Sequence, residues 1–239
     1  MTRKTLLILS CILFFAFCKK KDGDPEPSPT PVTTGTLPSL NTDNGMFTSF
    51  YNEIKWPNLP TYTDSLVQAT FFISPGSYNA HINAGTVSVN TTTLNLTVNN
   101  IYTTSIPINL KNLNWQVNGN GTISACSFSY SPLYPSYNGA NSLPDTLIKA
   151  NGMSFDLNGL TNGNSSVVFS VGQGSISVSK MITSVPSTIS LSAAESGSFL
   201  TNADFTIRLS AINYSSVTLN GNKYGINAGR TYLKVCYLK

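Results

Sequence analysis

Phe205-Thr206-Ile207-Arg208-Leu209-Ser210-Ala211 is the stretch that sets the fold class. Phe205, Ile207, Leu209 and Ala211 fall on one side, and Thr206, Arg208 and Ser210 on the other. Strict alternation over seven residues marks a half-buried β-strand, because successive side chains leave opposite faces of the backbone. The same period continues outward along the chain. Downstream, Leu233, Val235 and Tyr237 alternate toward the C-terminus. Upstream, Ile176 and Val178 alternate with serines. Cys126, Phe128 and Tyr130 form another row, Leu113, Trp115 and Val117 another, and Leu94, Leu96 and Val98 a fourth. Asn-Gly pairs begin at Asn118, Asn120, Asn151, Asn158, Asn162 and Asn220. Asn-Gly tolerates the two positive φ angles of a type I′ hairpin turn. Short strands with closely spaced turns predict an all-β fold of antiparallel β-sandwiches.

One short amphipathic helix is expected beside these strands. Met46, Phe47, Phe50, Tyr51 and Ile54 recur at three to four residues, between the cap-forming Asn41-Thr42-Asp43 and Pro57. A boundary is expected at residues 131–144, SPLYPSYNGANSLP, which lack periodicity. It would separate a sandwich domain over 37–135 from a second one over 143–239. The alternative is one continuous sandwich, a length all-β folds allow. A short echo, Ile82-Asn83-Ala84-Gly85 and Ile226-Asn227-Ala228-Gly229, is compatible with related halves.

Composition excludes several classes. Ser, Thr and Asn account for 84 of 239 residues, whereas only 10% are charged. An average soluble domain is about a quarter charged, so small neutral groups replace charge here. Coiled coils and charged-tail proteins are excluded, and 41% hydrophobic content argues against disorder. From residue 37 onward there are nine Lys/Arg and seven Asp/Glu. That balance leaves no basic surface to track phosphates, so no nucleic-acid partner is expected.

The N-terminus reads as an address. Arg3 and Lys4 precede a twelve-residue apolar run, Leu6 to Phe17, that stops at Cys18 before Lys19, Lys20 and Lys21. The run is short for a membrane span and normal for a signal-peptide core. This stretch resembles the type II signal of bacterial lipoproteins. The resemblance implies a signal peptide over 1–17, removed before Cys18, and acyl chains on Cys18 holding the protein to a membrane. Lys19 stands where resembling lipoproteins retained at the inner membrane carry Asp, which implies the outer membrane. Residues 22–36 alternate Pro25, Pro27, Pro29 and Pro31 with small or acidic residues, an extended tether between anchor and body.

Ala150-Asn151-Gly152-Met153-Ser154-Phe155, Ala211-Ile212-Asn213-Tyr214 and Asn222-Lys223-Tyr224-Gly225 resemble immunoglobulin-like modules of uncharacterised surface lipoproteins of Gram-negative bacteria. The resemblance implies an immunoglobulin-like sandwich for the C-terminal half and carries no activity with it.

Several constellations could carry chemistry. Cys126 and Cys236 could form a disulfide in an oxidising compartment. Cys236, however, is out of step with Leu233, Val235 and Tyr237, and buried free thiols are the competing reading. His81 is the only histidine, no G-x-S-x-G motif accompanies it, and a zinc set is not available. No cofactor is expected. The carboxylates Asp43, Glu53, Asp64, Asp145, Asp156, Glu195 and Asp204 would serve a glycoside hydrolase only if two converged. Asn41, Asp43 and Gly45 match part of a calcium loop without its distal Glu, so a helix cap is the simpler reading. Asp64-Ser65-Leu66 and Asp145-Thr146-Leu147 resemble the D-[ST]-apolar sequon of some exported bacterial proteins, which implies O-glycosylation of Ser65 and Thr146.

Loop aromatics are the most suggestive feature. Tyr130, Tyr134 and Tyr137 surround the Pro-rich stretch, and Trp56 lies in Lys55-Trp56-Pro57-Asn58. Flat rings beside neutral amides suit carbohydrate: the rings stack on sugar C–H faces and the amides bond hydroxyls. Packing against a domain seam is the competing reading for these rings. The expected function is non-enzymatic binding of glycan or a partner protein at the cell envelope. Alternatives are a structural or accessory subunit of an envelope assembly, and a glycoside hydrolase.

Overall fold

A computed structural model describes residues 43–104, 106–137, 143–161, 166–182 and 187–239. They belong to one compact unit, Pro31–Lys239. The centre of that unit is a long hairpin, β16 (Ala203–Leu219) and β17 (Asn222–Leu238). Asn220 and Gly221 connect the two strands with φ of 51° and 79°, the left-handed pair a two-residue type I′ turn requires. β16 pairs β17 over its whole length, from Leu219↔Asn222 to Ala203↔Leu238.

The remaining strands build outward from this hairpin. β13 (Ser166–Gln173) pairs β16, and β14 (Ile176–Ile182) pairs β13. On the other side, β1 (Gly45–Lys55) runs parallel to β17, Met46↔Gly225 through Lys55↔Lys234. β2 (Tyr62–Phe71) pairs β1, followed by β6 (Ile101–Thr103) and β5 (Asn95–Leu96). β10 (Thr146–Leu147) pairs the end of β17 and completes nine described strands in one sheet.

Smaller sheets cover this main sheet. One contains β4 (Thr92–Thr93), β3 (Val87–Val89), β7 (Leu113–Val117) and β8 (Cys126–Tyr130) in that order. β11 (Met153–Asp156) pairs β15 (Thr188–Leu191), and β9 (Ser136–Tyr137) pairs β12 (Leu160–Thr161). The expected all-β architecture is present, with sheet packed on sheet.

Two cores result, and both lie on the same face of the main sheet. One gathers Phe169, Phe205, Ile207, Leu209, Tyr232 and Cys236 against Phe155, Ile189 and Phe199. The other gathers Phe47, Val67, Phe71 and Tyr224 against Val87, Leu113, Trp115 and Val117. Tyr224, Tyr232 and Cys236 are even-numbered residues of one uninterrupted strand, so they leave β17 on the same side.

Three sequence expectations are corrected. The first is the helix over Met46–Ile54, which is the central part of β1. Its spacing of three to four is met by a strand used on both faces. Phe47 and Tyr51 point to the cores, while Met46, Phe50 and Ile54 point away. Hydrogen-bonded partners on both edges override the local helical pattern. The short helix of the described residues is instead α1 (Ala193–Gly197), capped by Ser192 and Glu195, whose side chains each accept the other's backbone N–H. The second correction is the phase near the C-terminus. Leu233 and Val235 are half-buried and Tyr237 is exposed, while Tyr232, Lys234, Cys236 and Leu238 face the core. Register with Leu209, Ile207 and Phe205 imposes that phase. The third is the strand over Thr93–Val98. Leu94 is buried, but Val98 is 98% exposed, because the backbone turns at Thr97–Ile101 to begin β6.

Phe47 tests the second core. Its ring lies 4.8–5.8 Å from those of Phe71, Trp115, Phe128 and Tyr224. Phe47→Ala is expected to cost about 3–5 kcal/mol in urea unfolding, the range for a buried aromatic. A loss under about 1 kcal/mol, the scale of a surface change, would contradict this placement.

Candidate binding surfaces

The predicted tyrosines gather at the junction of the two cores, around Arg230. Arg230 lies on β17 between Tyr224 of one core and Tyr232 of the other. Its guanidinium sits 5.2 Å from the Tyr51 ring centroid and 6.0 Å from that of Tyr232. Nη1 donates to the Tyr232 hydroxyl at 3.3 Å and faces Glu53 Oε1 at 3.6 Å. Tyr134 sets its ring edge-on to Tyr51 at 4.7 Å and donates its hydroxyl to Ser49 Oγ at 2.7 Å. Burial raises the Tyr134 phenol well above its ordinary range, and the Ser49 bond opposes the shift. Tyr137 is buried, donates to the Asp156 carbonyl at 2.5 Å and meets Tyr232 edge-on. Tyr130 is half-buried at the end of β8, opposite Leu113. Cation–π contact and edge-on rings make this cluster a seam between cores, with Tyr134 and Tyr137 engaged inward.

Trp56 is half-buried in the turn after β1, where its carbonyl accepts from Leu59 N at 3.3 Å. Strand alternation carries it to the side opposite Tyr51. The four predicted aromatics therefore do not form one platform.

An open depression of about 440 Å³ lies elsewhere, between the loop at Tyr78–His81 and the β5–β6 turn at Asn99–Ile101. Paired backbone groups hold the first loop: Ala80 N donates to Ser77 O at 2.9 Å and Ile73 N to Ala80 O at 3.1 Å. The two segments are tied through His81. Its Nδ1 is 3.2 Å from the Asn99 carbonyl, and Asn100 Nδ2 donates to the His81 carbonyl at 3.1 Å. With Nδ1–H donating, the neutral ring keeps Nε2 as an acceptor. Asn79, Asn99 and Asn100 add amides, Tyr78 and Ile101 add apolar surface, and no Asp, Glu, Lys or Arg lines the depression. The Tyr78 ring packs edge-on against Phe72 at 5.1 Å, and its hydroxyl is buried without a hydrogen-bond partner. Burial and then the charge of Asp43 raise the Tyr78 phenol. Sequence reading finds no motif around His81 and gives no reason to single out Asn99 and Asn100. Asparagine is so common in this chain that its position alone carries no signal.

The carboxylates are used locally. Buried Asp43 accepts from the Tyr214 hydroxyl and pairs with Lys223 at 3.3 Å. Glu53 faces Arg230, Glu195 pairs with Lys180 at 2.9 Å, and Asp145 with buried Lys234 at 3.1 Å. Asp64 and Asp156 accept from nearby backbone N–H groups, of Ser65 and Asn158. Among the described residues no three His, Cys, Asp or Glu cluster as a metal site would need. Asn41 of the partial calcium spacing lies outside the described residues, as does Cys18. Ser65 Oγ accepts from Ile108 N at 3.3 Å, whereas Thr146 is exposed.

No protein-family model, curated protein or solved structure matches the chain.

Cys126 and Cys236 are free thiols that belong to different cores. The disulfide reading of the sequence is not realised, because Cys236 points into the first core and its Sγ lies 3.3 Å from the Phe205 carbonyl. Burial pushes the Cys236 thiol up to about 12, against an opposing pull from Lys234, and burial also raises Cys126. Thiolate is the reactive form. Folded protein freed of its anchor at residue 37 should therefore leave Cys236 unreacted toward a thiol reagent at neutral pH. Two thiols should titrate after unfolding without reductant; fewer than two would show a bond.

Proposed function

We propose that this protein is an exported lipoprotein, anchored to the outer membrane through Cys18, whose β-body binds a neutral polar ligand, a glycan, without catalysis. The observation that carries the ligand class is the uncharged depression of His81, Asn79, Asn99, Asn100 and Tyr78. Amides and an imidazole acceptor suit sugar hydroxyls, and Ile101 with the Tyr78 ring offers apolar surface for C–H faces. Its neutrality disfavours charged ligands. The anchor reading is supported by the basic start, the twelve-residue apolar run and the cysteine that ends it. The Pro-rich stretch before residue 37 would hold the body off the membrane.

Residues 37–239 should give a saturable signal against a panel of neutral polysaccharides by calorimetry. His81→Ala and Asn100→Ala should each weaken binding by about tenfold, the scale of one or two lost ligand hydrogen bonds. Unchanged affinity in both variants would remove the depression from the reading. Silence across the panel would favour the accessory-subunit reading, whose support is apolar Val98, exposed at the tip beside the depression.

Cys18→Ala should move the protein from the membrane fraction to the soluble fraction. Unchanged fractionation would end the lipidation reading.

A further inference from the structure

Asp43 stands just before β1, and its surroundings differ from those of every other carboxylate described. Its backbone is held from two sides. Asn44 N donates to the Lys223 carbonyl at 2.7 Å, and Gly76 N donates to the Asp43 carbonyl at 3.2 Å. The Asp43 side chain is fully buried, and its Oδ2 accepts from the Tyr214 hydroxyl. Tyr214 belongs to β16, on the far side of β17, and reaches the carboxyl across Gly225. A Cβ at Gly225 would come within 2.8 Å of Oδ2 and 3.0 Å of the Tyr214 ring, so glycine keeps that passage open. On the other side, Lys223 Nζ lies 3.3 Å from Oδ1. Oδ1 is nevertheless buried without a hydrogen-bond partner, so the ammonium sits beside it outside hydrogen-bonding geometry.

The other ion pairs among the described residues are of a different kind. Glu195 accepts a hydrogen bond from Lys180 at 2.9 Å. Glu53 is half-buried, and Asp145 is 72% exposed. A carboxylate sealed from water carries a desolvation cost that its partner repays only with good hydrogen-bond geometry. Oδ1 of Asp43 lacks that geometry, and condensation with the amine would remove both charges. The placement favours that reaction. Cγ is one bond from Oδ1, so a small turn of the lysine head brings Nζ to the roughly 3–3.5 Å from which bonds form. Reactants held this way gain an effective concentration of about 10⁵–10⁸ M. Burial, and then the hydrogen bond to Asp43, raise the Tyr214 phenol, which keeps it a proton donor. The Lys223 side chain is 38% exposed, which gives a released water a way out.

We propose that Asp43 and Lys223 condense into an isopeptide bond that ties the start of the body to the β16–β17 hairpin. The Lys223 nitrogen attacks Cγ of Asp43; the N–Cγ bond forms and the Cγ–Oδ2 bond breaks. Of the three protons on the ammonium, one stays as the amide N–H and two leave with Oδ2 as water. Tyr214 relays them, giving its own proton to Oδ2 and being refilled from the nitrogen. One carboxylate and one ammonium become one amide and one water, with no oxidant or cofactor. The link has a mechanical consequence. Any pull along the chain from residue 42 enters the body at Asp43, and the bond passes that load directly to β17. It uses neither Cys18 nor the ligand-facing groups of the Tyr78–His81 depression, so the fate of the anchor and glycan readings leaves this inference standing.

The test takes the full chain from the cells that make it, unfolds it and digests it with trypsin, which cuts after Lys and Arg. Mass spectrometry should find residues 22–55 joined to residues 209–230, uncut after Lys223 and lighter by one water than the two separate peptides. Fragmentation should place the bond between Asp43 and Lys223. Lys223→Arg keeps the positive charge and should abolish the joined species. Tyr214→Phe keeps the ring and should slow its appearance in newly made chain at least about tenfold, as expected for the loss of one placed donor. Complete recovery of the separate peptides 22–55 and 209–223 overturns the proposal, since the two residues are then an ion pair only. A joined species that survives in Lys223→Arg overturns it as well.

Discussion

β17 is held on both edges, and the rest of the structure depends on that. β16 pairs it antiparallel along one edge, and β1 pairs it parallel along the other. A strand fixed on two sides has one register, and one register leaves a single choice of which side chains face inward. Its even-numbered residues face inward throughout. Tyr224 enters one core and Tyr232 and Cys236 the other, so both cores share a face of one continuous sheet. The N-terminal strand is thereby built into the C-terminal hairpin, and both halves of the chain contribute to the same layer.

The same constraint produces the seam. Arg230 is one of the inward positions of β17, and it falls between Tyr224 of one core and Tyr232 of the other. Tyr51, Tyr232 and Tyr134 surround the guanidinium, and Glu53 balances it at the rim. Aromatic faces accept a cation without the full cost of desolvation. The rings that composition suggests for a ligand are therefore largely committed to joining two cores, and the ligand reading moves to an uncharged depression made by two turns.

The β character of the chain was legible from residues alone. Alternation at Phe205–Ala211 and Leu113–Val117 and the Asn220-Gly221 turn record local physics: side-chain period two, and positive φ tolerated by Asn and Gly. Composition likewise set how few charges the body carries. Pairing was not legible. Whether Met46–Ile54 is a helix or a strand turned on partners far along the chain, and Leu233–Tyr237 alternate in either phase until β16 chooses one. The depression around His81 joins segments some twenty residues apart through backbone contacts that no spacing records. Local pattern determined the kind of element; register across strands, a property of tertiary structure, decided which side chains meet, because hydrogen-bond partners are chosen in space and not along the sequence.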